Sequence, residues 1–302
     1  MIPPGGSLRS ADPMLRQKPD PIPVLHPVPE FLADARLKAV YDDTKAVLRV
    51  PWMGVVTMAF AHYPTFYAAL WDVLRDLCDC AAFVAACREL RTHAETQAAS
   101  LGVTRLSGRL ATHGYAQREI DEIRDLIEVF SHGNMPYLML ATVARLLLEG
   151  EAVGRHGSIA SLAGQHDAVA ARRLTLIEPH HADAPTATLY DDIRVTLGLP
   201  FVNTDYRALA RWPSYFALAW GDLRGWIDSS AYANAAQSVH EFAIAQWQQL
   251  PVPAGLTSAT LNAAAERDAP PGEVRDVVRL FQWLLPGLVI NVACFRAQLR
   301  PE

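Results

Sequence analysis

Two side chains stand out for what they can do and for what surrounds them. Asp205 lies in PFVNTDYRALARWP, among the apolar or aromatic residues Phe201, Val202, Tyr206, Leu209 and Trp212. A carboxylate there is either part of an Asn203–Thr204–Asp205 helix cap or a partly buried group able to take a proton. Asn134 lies in SHGNMPYL, where Gly133 and Pro136 interrupt an otherwise apolar helical run. The simplest reading is a turn between two helices, with Asn as its left-handed or capping residue. The alternative is an amide presented to a ligand. Tyr137, three residues on, shares its face if the backbone is helical.

Other clusters carry less. Cys78, Cys80 and Cys87 read as residents of one helix, but CxC-x6-C without a nearby His is no familiar zinc spacing. With Cys294 they read as small buried hydrophobes. His180 and His181 sit in a Pro-flanked stretch and are expected to be solvated. The chain has no nucleophile elbow, zinc-binding helix motif, phosphate loop or dinucleotide fingerprint, and the cysteine spacing gives no metal site.

The elements that must hold Asp205 and Asn134 are written twice. Residues 41–75 recur 149 positions later with 12 of 35 identities and no gap, from YDDTKAVLRVPW to YDDIRVTLGLPF and on through Pro64/Pro213, Trp71/Trp220 and Arg75/Arg224. A looser match at an offset of 151 sets Phe130 on Phe281 and Asn134 on Leu285. Hydrophobic residues recur at three- and four-residue steps nearly everywhere after Phe31, and no sustained alternation signals a strand. The expectation is an all-α protein of two tandem helical repeats in a pseudo-twofold unit. Residues 1–30, with eight of the 21 prolines, form a tail or an extended wrap. Residues 31–150 make the first repeat, 151–185 a linker and 186–302 the second. Each copy is expected to kink at Pro51 or Pro200 and start a long helix at Pro64 or Pro213. The YDD pairs read as structural, with Asp42 and Asp191 facing Lys45 and Arg194. In both comparisons the copies differ at a polar position: Asp205 falls on Val56, and Asn134 on Leu285.

A net charge of −5 gives no basic patch for nucleic acid or anionic lipid. The N-terminus lacks the apolar core of a secretory signal, and the apolar stretch from Trp283 to Phe295 is too short to span a bilayer. A cytoplasmic protein with no membrane partner is expected.

LRVPW at 48–52, GNMPY at 133–137, Thr204–Asp205 ahead of A-x-W-P at 210–213, and the tandem halves together resemble the group I, non-stereospecific (D,L) 2-haloacid dehalogenases. The resemblance runs over roughly 35–150 and 186–300. It implies an all-α pseudo-dimer with its site between the halves, assembled as a homodimer and needing no cofactor. The implied reaction turns a 2-haloalkanoate of either configuration into a 2-hydroxyalkanoate and halide. An Asp activates water for direct attack with inversion and no ester intermediate. The matching residues are Asp205 as base and Asn134 as the positioner of the water. Trp52, Tyr137 and Thr204 match the pocket, with Phe201 in its apolar wall and Trp283 and Ile290 through a looser alignment. A carboxylate near its ordinary pKa of about 3.9 is ionised at neutral pH and can serve. Cys80 and Val84 stand where some members carry an essential Thr and Glu, and Val55 replaces an aromatic. A relative that binds a small carboxylate without releasing halide is therefore the competing reading. A purely structural helical protein is the third, and it requires that Asp205 not face inward.

Overall fold

The computed structural model describes residues 16–156, 174–253, 255–270 and 272–300. Tail residues 1–15, and Gly157 and Gly164 of the linker, lie outside the described residues. The chain is all-α, as the periodicity predicts. In the first part come α1 (Ala35–Leu48), α2 (Val55–Phe60), α3 (Pro64–Cys78), α4 (Ala81–Ala99), α5 (Ser107–Thr112) and α6 (Gln117–Leu148). In the second come α7 (Ala184–Leu197), α8 (Thr204–Leu209), α9 (Pro213–Ile227), α10 (Ser230–Gln249), α11 (Ser258–Asp268) and α12 (Glu273–Gln298). Two-residue strands, β1 (Arg155–His156) and β2 (Pro251–Val252), pair in parallel.

Equivalent local signals start and stop equivalent helices. Asp34 and Asp183 cap α1 and α7 by accepting from the amides of Leu37 and Thr186. Cys80 and Ser229 do the same for α4 and α10. Pro64 and Pro213 open α3 and α9, where a missing N–H costs nothing. Both α1 and α7 end in a left-handed residue, Arg49 at φ 54° and Gly198 at φ 60°. Glycine adopts that conformation freely; the arginine bears a side-chain clash for it. After Pro51 and Pro200 each copy inserts a short helix, α2 or α8, before its long one. The predicted single kink is thus a three-part corner.

The YDD segments are the anchor of each corner. Asp42 and Asp191 pair with Lys45 and Arg194 as predicted. The aspartate after each instead accepts from a tryptophan indole: Trp71 to Asp43 at 2.9 Å and Trp220 to Asp192 at 2.7 Å. The tyrosines are buried and donate outward to extended arms, Tyr41 to the carbonyl of Val28 and Tyr190 to that of Ile177. Each arm also clips a short helix, Val28 N–H to Met58 O and Ile177 N–H to Arg207 O. These partners are again 149 apart, so the stretch 174–183, expected to be linker, mirrors the end of the proline-rich tail. The described part of that tail is an extended wrap.

The core sits where α6 and α12 pack together, the most extensive helix pair in the fold. Three expectations fail in this core. Gly133 and Pro136 mark no turn: α6 runs 32 residues straight through both. Proline in a helix interior forfeits one backbone hydrogen bond, and burial of nearly every residue from Val129 to Leu148 supplies the compensation. The apolar stretch from Trp283 to Phe295 belongs to a 26-residue helix that contains Pro286; it is long and apolar enough to cross a membrane, but 89% of its apolar window is buried against the other helices. The three clustered cysteines fall on two helices, Cys78 closing α3 and Cys80 capping α4, and all four are free and buried.

Because Trp220 is 1% exposed, Asp192→Ala strands its indole N–H. The expected loss is about 1–3 kcal/mol of stability. Asp192→Asn keeps an acceptor and loses less. The urea midpoint at constant m-value checks both.

Candidate active site

Asp205 is the second residue of α8, not its cap; Asn203 precedes the helix and makes no side-chain capping bond. At N2 the Asp205 side chain turns inward and is 3% exposed. Asn134 lies in the middle of α6, also buried, and its Nδ2 donates to Asp205 Oδ1 at 2.6 Å. The two residues singled out from sequence, 71 positions apart, thus form one buried pair.

They line a cavity of about 20 Å³. A water needs roughly 10–15 Å³, so the space fits one water and no haloacid. Its walls come from matched positions of the two copies. Gly54, Val55 and Val56 line it from the first, and Asn203, Thr204 and Asp205, each 149 residues later, from the second. Asn134 and Tyr137 on α6 answer to Leu285 and Leu288 on α12 at the offset of 151. Polar and apolar members of each pair meet in the same cavity.

Two glycines shape the aromatic wall. A Cβ on Gly133 would sit 2.3 Å from the Trp52 ring, so only glycine lets the indole lie on the backbone of α6. A Cβ on Gly54 would press at 3.1 Å on the Tyr137 ring. Tyr137 in turn donates its hydroxyl to Trp52 O at 2.7 Å, and the two rings lie 5.8 Å apart. The hydroxyl is thereby spent on structure, and burial pushes its pKa up.

Burial also raises the Asp205 carboxyl, to about 6. The Asn134 amide, the Asp205 backbone amide and the charge of Arg207 pull the other way without cancelling it. The ordinary value assumed from sequence is thus replaced by one nearer neutrality, the range in which a general base works best.

Two larger spaces flank this cavity. In front lies one of about 990 Å³, enclosed by the two arms and sharing Trp52, Val55 and Thr204 with the inner cavity. Phe201 lines this front space and not the inner one. Arg207, on the same wall, donates to both oxygens of Glu178 at 2.8 and 2.7 Å and to Thr204 Oγ1 at 3.1 Å. Behind lies a space of about 210 Å³ that shares Asn203, Leu284 and Leu288 with the inner cavity. Trp283 lines this rear space, away from Asp205, under Arg16. Ile290 is fully buried in α12 and lines none of the three, and neither do Cys80 and Val84. Sequence reasoning missed Arg207, Glu178 and Arg16, and read Asn203 only as part of a helix cap. Arg207 was within reach, being a charge in an apolar segment two residues beyond Asp205. The others carry no local signal.

A profile of the family described as "Halocarboxylic acid dehydrogenase DehI" matches residues 51–199. An "(R)-2-haloacid dehalogenase" of Rhizobium sp. (strain NHG3) is 47% identical over 242 residues, which is 80% of this chain and 94% of that protein. Another "(R)-2-haloacid dehalogenase", from Pseudomonas putida, is 36% identical over 93% of this chain and 96% of its own. The chain belongs to this family. Solved structures agree. A "D-2-haloacid dehalogenase mutant with D-2-CPA" superposes with a TM-score of 0.83 at 32% identity, covering 92% of this chain and 97% of that one. A "D-2-haloacid dehalogenase with L-LA" gives 0.81 at 33% identity, covering 94% and 99%. The family description says dehydrogenase, whereas the relatives' names say dehalogenase. Among the described residues the strands are one two-residue parallel pair, not the open parallel sheet of a dinucleotide-binding dehydrogenase, and the sequence lacks that fold's glycine-rich turn.

Two outcomes follow from this geometry. Gly133→Ala should displace the Trp52 indole, cost about 1–3 kcal/mol by overpacking and distort the wall in front of Asp205. Near-ultraviolet circular dichroism and thermal melting check it. Asp205 holds its proton more tightly folded than unfolded. Its charge therefore costs nothing below about pH 4 and roughly 2–3 kcal/mol above pH 6, from 1.36 kcal/mol per pKa unit. Asp205→Asn should thus raise the melting temperature at pH 7–8 and leave it unchanged at pH 4.

Proposed function

We propose that this protein hydrolyses 2-haloalkanoic acids to 2-hydroxyalkanoic acids with inversion at Cα, using water activated by Asp205 and forming no ester with the protein. The observation that carries this reading is the buried Asn134–Asp205 pair beside a space for one water. The amide holds Oδ1, which fixes the carboxylate plane and leaves Oδ2 to take the proton. The water attacks Cα as the carbon–halogen bond breaks, the halide leaves with the bonding pair, and Asp205 keeps the proton until solvent removes it. Water is a poor nucleophile, and a positioned base of this kind contributes about 10²–10⁴-fold.

In this reading the haloacid arrives through the front cavity, since the inner one is too small for it. Thr204 and Arg207 lie on the wall common to the approach; Thr204 can donate its hydroxyl to the substrate carboxylate, and Arg207, its charge balanced by Glu178, holds the Thr204 oxygen in place. The apolar and aromatic surfaces of Trp52, Phe281 and Leu285 exclude further water and accommodate the carbon chain and halogen. The names of the two relatives above favour the R enantiomer as preferred substrate. Activity on both enantiomers, implied by the resemblance, is the second reading; it is favoured by the matched apolar walls, which give the small Cα substituents similar surroundings on either side.

Halide release from D- and L-2-chloropropionate tests the assignment and ranks the enantiomers. None from either points to a relative that binds a carboxylate without turning it over. Asp205→Asn should lower kcat by about 10²–10⁴-fold. A single turnover with protein in excess in H₂¹⁸O should place solvent oxygen in the product; unlabelled product would indicate attack by Asp205 itself. The kcat/KM profile should fall as pH drops through about 6, as the base becomes protonated. Asn134→Ala removes a contact that lowers this pKa, so its acid limb should move to higher pH.

A further inference from the structure

The rear cavity holds a charge that nothing described so far explains. Arg16 lies at the end of the described tail, mostly enclosed. Its Nε donates to Trp283 O at 2.7 Å, and its guanidinium stacks 5.1 Å over the Trp283 ring. No carboxylate among the described residues forms an ion pair with it. Burial pushes its pKa down, and the neighbouring Tyr232 hydroxyl offsets the push only in part. An arginine stays protonated nevertheless, so this is a desolvated cation without an ion-pair partner among the described residues. Gly287 makes the arrangement possible: a Cβ there would sit 3.0 Å from both Arg16 Nη2 and the Tyr232 hydroxyl.

A second, independent feature faces the same space. Asn203 stands in the wall between the rear cavity and the inner cavity, 5% exposed, and its Oδ1 is buried with no hydrogen-bond partner. A buried acceptor without a donor costs about 1–3 kcal/mol unless a ligand satisfies it. The rest of the lining is mixed: Leu197, Ile227 and Leu284 are apolar, Tyr206, Tyr232 and Asn291 bring polar atoms, and the carboxylate of Asp228 also lines the cavity without forming an ion pair with Arg16. At about 210 Å³ the cavity is far larger than the inner one of about 20 Å³ and has room for a short carboxylic acid.

We infer that the rear cavity is a binding site for a short 2-hydroxycarboxylate, with the carboxylate on Arg16, the 2-hydroxyl donating to Asn203 Oδ1 and the carbon chain against the leucines. A guanidinium fork matches a carboxylate, and a buried acceptor with no donor of its own selects a ligand that has a hydroxyl to give. A 2-haloacid has none. The site therefore takes the class of the product rather than the substrate, one layer of side chains behind the base that makes it. Calling this ligand the product rests on the proposed dehalogenation; the binding itself does not.

The test is calorimetric titration of the whole chain with lactate, propionate and 2-chloropropionate, the last on Asp205→Asn to prevent turnover. Lactate should bind at two sites per chain, one of them preferring lactate to propionate and 2-chloropropionate by about tenfold or more. Arg16→Gln should abolish that site and leave the initial rate of halide release unchanged. Ala233→Phe, at an exposed helix position on the cavity lining, should plug it with Arg16 intact, and it decides the matter if Arg16→Gln melts early. One lactate per chain in the wild type, two surviving in a folded variant, or equal affinity for propionate would overturn the proposal. Arg16-dependent lactate binding in a protein that releases no halide would leave this site standing and remove the dehalogenase reading.

Discussion

A carboxylate folded away from water against an amide from the other half of the chain is the contact on which the rest turns. Burying a charged group is expensive, and Asp205 answers in two ways: one strong hydrogen bond from Asn134 and a pKa raised toward neutrality. The bond dictates architecture on both sides. Asn134 must come from the inside of a long helix, so α6 passes through Gly133 and Pro136 without breaking. Asp205 must enter at the start of a short one, so α8 interposes between Pro200 and the long α9. The aromatic lid follows, because Trp52 reaches the cavity only where Gly133 leaves α6 bare.

Where the two copies agree, they build the frame that holds this pair. The capping residues, the aspartate–tryptophan anchors and the tyrosine-tethered arms recur at one offset because each solves a local problem of chain geometry in the same way. Where they disagree, they furnish the interior. Val56 opposite Asp205 is informative in this respect. A second aspartate there would share a small buried space with the first, and two carboxylates so placed cannot both ionise. One copy must give up its charge for the other to act as a base near neutral pH. The same holds on the long helices, where Asn134 and Tyr137 face Leu285 and Leu288.

The fold class was legible because helical periodicity and duplication are long, redundant signals. Asp205 and Asn134 were legible as oddities, polar residues in apolar surroundings that the other copy does not repeat. What they do to each other was not, since a hydrogen bond across 71 residues leaves no local trace. The reading of GNMPY as a turn failed because glycine and proline punctuate exposed helices, whereas a helix buried all round retains its form through packing. Trp283 was misplaced by an alignment with no fixed register along α12, where a shift of a residue or two turns a side chain toward a different cavity. Arg16 was invisible for a further reason: it lies in a proline-rich segment whose path over the body is set by contacts such as Trp283 and Gln237 rather than by its own sequence.

The raised pKa of Asp205 ties the energetics to the chemistry. Hydrolysis of a haloacid turns one monoanion into two and releases a proton, so the site gains negative charge as the reaction runs. An exposed aspartate with a pKa near 4 would hold the incoming proton weakly and leave that negative charge uncompensated. At about 6 the same carboxyl accepts the proton roughly a hundredfold more readily, by one factor of ten per pKa unit, yet remains mostly ionised at neutral pH between turnovers. The desolvation that destabilises the folded chain thus strengthens its base. On this view the frame of caps, tethers and indole anchors is not surplus stability. It is what allows a helical protein to keep one carboxylate dry enough to pull a proton from water.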